Sequence, residues 1–152
     1  MRLLLDSNII LRLSDTSHNS HGLAVEAIAR LHRDGHECVL VPQVIYEYWV
    51  VATRPIAVHG LSMEVAEVNV SATAWTSQFT LLRDEGGLYE RWRTTVVAAQ
   101  VKGTPAHDAR LVAAMLRHGV THLLTFNTVD FKRFTDIVAI SPDEVVAGRL
   151  PA

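Results

Sequence analysis

The chain has 152 residues, 49% of them hydrophobic, and one cysteine, Cys38: enough for a domain with a real core, and no basis for an internal disulfide framework. No apolar run approaches the roughly 20 residues that span a bilayer, and the three leucines before Asp6 are too short for a signal peptide, so the cytoplasm is the expected compartment. A net charge of −2 argues against tight nonspecific nucleic-acid binding, although Arg83, Arg91, Arg93 and Lys102 could form a local cationic strip.

Arg2–Leu5 reads as a buried strand and Asn8–Leu13 as a short helix, with Asp6 or Asn8 able to turn the chain or cap that helix. Residues 14–21, SDTSHNSH, form a polar loop. Leu23–Arg33 is amphipathic, with Leu23, Ala27, Ile28 and Leu31 on one face and Gly35 as its stop. Glu37–Val41 is a second strand. Pro42 opens a helix, PQVIYEYWVVATR, that Pro55 ends.

Ser62–Ser77 is expected to be helical, with Ser62 as N-cap and Glu64 and Glu67 facing outward. Phe79–Leu82 is a third strand, and Gly86 and Gly87 precede a helix through Val101. Thr104 and Pro105 have the chemistry of an N-cap and first helical residue, opening a helix to Arg117 that Gly119 stops. Residues 121–126, THLLTF, read as a buried strand, 127–131 as a turn or short helix, and 137–140, IVAI, as a last strand. The alternation predicts one α/β domain over 1–152 with a mainly parallel sheet; no repeat or linker interrupts it.

Four acids sit against strongly apolar sequence. Asp6 ends the first strand. Glu47 lies in a helix apolar nearly all round, a pattern that predicts burial, and shares a face with Val44, Val50 and Val51. Asp108 heads HDARLVAAML and shares a face with Leu111, Val112 and Met115. Asp130 stands between Val129 and Phe131. Singly, each has an ordinary account: a turn, a buried ion pair, or a first-turn acid complementing the helix dipole. Jointly they point elsewhere, because an ionised carboxylate is expensive to bury without a partner. A hard divalent cation, Mg²⁺ or Mn²⁺, is the partner that rationalises all four. Zinc is not indicated: the histidine pairs His32/His36 and His118/His122 are each interrupted by a glycine. Phosphate-loop, GxGxxG, HExxH and GxSxG motifs are absent.

These residues, in this order and spacing, resemble the PIN domain of VapC-type toxins. The resemblance runs from LLLDSNIIL (3–11) to TFNTVDF (125–131). It implies a PIN-like three-layer fold and an endoribonuclease that uses Mg²⁺ or Mn²⁺ to hydrolyse RNA phosphodiesters, as the toxin of a type II toxin–antitoxin pair. Asp6 and Asp108 would be the principal metal ligands, with Glu47 and Asp130 completing the site directly or through water. Asn8 and Thr125 would orient the cluster, and Glu47 or Asp130 would help deprotonate the attacking water. The resemblance also implies an antitoxin partner and a homodimer. The pattern departs at Asn127, where many relatives carry aspartate; the nearest acid is Asp130.

Two other readings are open to the sequence. Asp6-x-Asn8 faintly resembles the nucleophile motif of haloacid-dehalogenase-like phosphatases, which also need a buried lysine; Lys102 and Lys132 are the only lysines. A PIN-like module that binds RNA or protein without cutting is the other.

Overall fold

A strand buried on both faces needs an unbroken apolar run, and three segments of the chain supply one. In the computed structural model, which describes residues 1–151, Leu3–Leu5, Val39–Leu40 and Leu123–Leu124 are fully buried. They lie in β1 (Arg2–Leu5), β2 (Glu37–Leu40) and β4 (His122–Leu124), with β3 (Thr80–Leu81) and β5 (Val138–Ile140) at the edges. All pairings are parallel and the order is β3-β2-β1-β4-β5.

Parallel neighbours require crossovers, and helices provide them. The chain runs through α1 (Ser7–Ser14), α2 (His21–Arg33), α3 (Pro42–Thr53), α4 (Val65–Gln78), α5 (Leu88–Ala98), α6 (Pro105–Arg117) and α7 (Pro142–Val146). α1 packs on α2 and α3, α3 on α4, and α2 on α7, while α5 pairs with α6. From β1 the chain first moves outward through β2 to β3, then returns to β4 on the other side of β1. Right-handed crossovers therefore put the two helix sets on opposite faces of the sheet. The order reverses at β1, so a crevice opens beyond the carboxyl ends of β1 and β4, where open α/β sheets place their ligands.

Several local expectations are corrected. α3 is not buried all round: Gln43, Val44, Tyr48 and Ala52 face inward, whereas Tyr46 is 60% and Val50 59% exposed. On α2, Ala24 rather than Leu23 joins Ala27, Ile28 and Leu31 in the core. Ser62 does not cap α4. It sits at φ +50° in the preceding turn, and its hydroxyl accepts from the Ile56 N–H. The helix begins later, where the Glu67 carboxylate accepts from the N–H of Glu64. Thr104 precedes α6 in a helical conformation without a side-chain cap. α7 was not anticipated; Ser141 caps it reciprocally with Glu144.

Candidate active site

The β1–β4 register sets Leu5 beside Leu124, which brings the next residues, Asp6 and Thr125, side by side at the switch point. Asp6 is 7% exposed and Thr125 fully buried. Asp6 also caps α1, its Oδ1 accepting the Ser7 N–H at 2.7 Å. The capping expectation and the chemical one therefore describe the same residue.

The other oxygen is tied across the sheet. Oδ2 accepts from the Thr125 hydroxyl at 2.6 Å and from Asn8 Nδ2 at 2.9 Å. Thr125 Oγ1 in turn accepts from Asn8 Nδ2 and the Asn127 N–H, both at 3.0 Å, and Asn8 Oδ1 receives the Phe126 N–H at 3.2 Å. Asn8 and Thr125 thus orient Asp6, while Asn127 contributes its backbone.

The remaining acids surround this knot with negative charge. Burial pushes the Asp6 carboxyl up to about 6, reinforced by the charges of Glu47 and Asp108 and opposed by its bonds from Thr125 and Ser7. Half-buried Asp108 is also raised, first by burial and then by Asp130 and Glu47. These couplings bring together the four acids marked in the sequence. Their burial differs from expectation: Asp6 is enclosed, Glu47 and Asp108 are partly exposed, and Asp130 is on the surface in the short 3-10 turn Thr128–Phe131. A turn at the protein surface lets a carboxylate keep its hydration, which the apolar neighbours Val129 and Phe131 concealed.

Glu47 is held by side chains the sequence did not single out. Its Oε2 accepts from Ser7 Oγ and its Oε1 from Gln43 Nε2, both at 2.8 Å. Ser7, Tyr46, Glu47, Val50 and Val51 line a cavity of about 380 Å³ beside the crevice. A second cavity, of about 360 Å³, is lined by Leu88, Tyr89, Trp92 and Arg110. There the rings of Tyr89 and Trp92 lie 6.0 Å apart and the Arg93 guanidinium stands 5.8 Å from the Tyr89 ring. Their spacing on α5, i, i+3 and i+4, was a readable signal.

Among the described residues, no three His, Cys, Asp or Glu side chains converge as a ready-made metal cage. The donor chemistry nevertheless fits Mg²⁺ or Mn²⁺: carboxylate oxygens of raised basicity, one enclosed and one half-open, as suits an ion that keeps several waters and uses one or two protein carboxylates. Lys102 and Lys132 are both exposed, so the buried lysine of the phosphatase reading is missing.

Fold and crevice together define a three-layer α/β domain with an acidic cluster at its sheet switch point. The family model for the PIN domain matches residues 3–137, and the chain belongs to the PIN domain family. Comparison with curated protein sequences finds no match. Among solved structures, the chain is similar to VapBC2 from Rickettsia felis bound to a DNA fragment from its promoter, at 13% identity and a TM-score of 0.68, covering 93% of this chain and 98% of that one. It is similar to VapBC-1 from nontypeable Haemophilus influenzae at 18% identity and a TM-score of 0.67, covering 94% and 99%. The sarcin-ricin-loop-cleaving toxin VapC20 of Mycobacterium tuberculosis matches at 18% identity and a TM-score of 0.55, over 80% and 86%. At these identities the likeness is one of fold.

Proposed function

We propose that this PIN domain is a Mg²⁺- or Mn²⁺-dependent endoribonuclease acting as the toxin of a type II toxin–antitoxin pair. The observation that carries the reading is the buried Asp6, held at the switch point by Thr125, Asn8 and Ser7, with the charges of Glu47 and Asp108 acting on it and Asp130 acting in turn on Asp108. Burial is the first cause of the raised proton affinity of Asp6 and Asp108, and the like charges beside them add to it; a bound cation would offset both costs. The neighbours support the wider assignment, one being described as a sarcin-ricin-loop-cleaving toxin and another as a toxin–antitoxin complex from Klebsiella pneumoniae.

In this reading Asp6 and Asp108 hold the ion. The ion, when bound, lowers the pKa of a water, orients the scissile phosphate and offsets charge developing in the transition state. Glu47 or Asp130 takes the proton of the attacking water. Asn8 and Thr125 keep Asp6 in one orientation, and Asp130 fills the position that Asn127, with a neutral oxygen, cannot. The aromatic and cationic pair Tyr89 and Arg93 suits an unpaired base. An antitoxin and a second copy of the chain are the protein partners, the exposed Tyr46 and Val50 of α3 supporting such a contact. The whole chain acts as one domain in the cytoplasm; no helix among the described residues is long and apolar enough to cross a membrane.

The test is cleavage of RNA by the purified protein with Mg²⁺ or Mn²⁺. EDTA should stop it, and Asp6→Asn or Asp108→Asn should each lower the rate by several orders of magnitude. Wild-type cleavage by both variants would remove the site assignment. RNA retention without cleavage in either metal would favour the binding module.

A further inference from the structure

Behind Glu47 runs a chain of side chains that the proposed chemistry does not itself use. Gln43, at the second position of α3, is only 6% exposed. Its Nε2 donates to Glu47 Oε1 at 2.8 Å and to the His107 carbonyl at 2.9 Å, and its Oε1 accepts from Arg110 Nη1 at 3.0 Å. The other arm of that guanidinium, Nη2, is anchored on Asp84 Oδ2 at 2.9 Å.

The amide can take only one orientation in this setting. Turned over, its oxygen would face a carboxylate and a carbonyl, and its nitrogen would face a guanidinium, so every contact would become repulsive. Arg110 therefore decides which end of Gln43 meets Glu47, and Asp84 decides where Arg110 stands. Ser7 completes the grip on the far oxygen at 2.8 Å. A glutamate on a partly exposed helix face, free to sample several rotamers, is thereby held in one.

We infer that Gln43 and Arg110 are positioning residues: Arg110, anchored on Asp84, fixes the Gln43 amide, which holds Glu47 toward the metal-binding acids. This rests on the ribonuclease reading, and it assigns neither residue a contact with RNA or metal.

The experiment is a set of double-mutant cycles, read as RNA cleavage at saturating substrate and as Mn²⁺ affinity by titration. Gln43→Met, which keeps length and loses the amide, should lower at least one of the two by roughly 10–100-fold, as removal of supporting partners around metal sites does. Arg110→Met should cost less, and Arg110→Lys, which keeps a donor toward Gln43, should recover most of that loss. In a Glu47→Gln background neither Gln43→Met nor Arg110→Met should cost anything further, because their effect passes through Glu47. Full additivity with Glu47→Gln, or unchanged cleavage and Mn²⁺ affinity in Gln43→Met, would overturn the inference. If Gln43→Met does not fold, the Arg110 pair against Glu47→Gln decides alone. Wild type and Asp6→Asn are run beside them: if wild type cuts no RNA with Mg²⁺ or Mn²⁺, the ribonuclease reading fails; if Asp6→Asn cuts like wild type, the site assignment fails; if Asp6→Asn is inactive while Gln43→Met and Arg110→Met cut and bind Mn²⁺ like wild type, only the relay fails.

Discussion

The switch-point crevice and the segment from Ile56 to Val101 are built on opposite terms. Around the crevice, Leu3–Leu5, Ile9, Ile10, Leu123 and Leu124 are fully buried, and the polar side chains of Asp6, Asn8 and Thr125 bond one another. In the other segment, Val68 is the only buried residue of α4, α5 has none, and β3 is two residues long. Ile56, Val65, Val70 and Val97 are each more than 60% exposed there. Polar precision is thus mounted on the best-packed part of the molecule, while apolar surface is left outward where little core lies beneath it.

The largest test of this contrast is thermodynamic stability. Leu4→Ala should cost about 2–5 kcal/mol in urea unfolding, whereas Val70→Ala should stay within about 0.5 kcal/mol of wild type. Equal losses would erase the distinction between the two regions.

A second test uses pH. Asp6 is raised from 3.8 to about 6 in the fold, so the native protein binds the proton that the unfolded chain releases. The metal-free protein should therefore lose stability as pH rises from about 4 to 6, by about 3 kcal/mol from this group alone. Asp6→Asn lacks that term. Melts of both proteins in EDTA should diverge across this window, with the variant higher at pH 7 and gaining less from added Mn²⁺. Parallel curves would mean that Asp6 carries no such strain.

Thr125→Val, close in shape, leaves Asp6 Oδ2, Asn8 and the Asn127 N–H each short of a partner. It should cost about 1–3 kcal/mol and move the Asp6 titration, followed by NMR, further upward. An unmoved titration would show that the 2.6 Å bond carries little weight. The smallest effect concerns the rim. Asp130→Asn should slow RNA cleavage roughly tenfold, about 1.4 kcal/mol, and Asn127→Ala less. The reverse order would make Asn127 the functional position.

The periodic features were legible because they are local. Leucine runs marked β1 and β4, Pro42 and Pro105 marked helix starts, and the order of acids marked Asp6, Glu47, Asp108 and Asp130. What escaped depends on distant partners. Gln43 and Arg110 meet across 67 residues, and nothing local to either announces the bond. Ser62 is a good capping residue by type, but its hydroxyl is committed to Ile56. The burial predicted for the whole circumference of α3 failed because the body of the protein covers only one side of that helix. α7 is different: its Ser141–Glu144 box has a readable S-x-x-E spacing.

The bond between Thr125 and Asp6 spans 119 positions of the chain, which makes the site a timekeeper of synthesis. Asp6 leaves a ribosome before its partner, which follows on the order of ten seconds later at ordinary elongation rates. Until β4 slots in beside β1, the carboxylate lacks its orienting hydroxyl. The candidate site is thus incomplete for as long as the residues between Asp6 and Thr125 are still being added. The proposed activity would therefore switch on when β4 docks rather than growing in proportion to length.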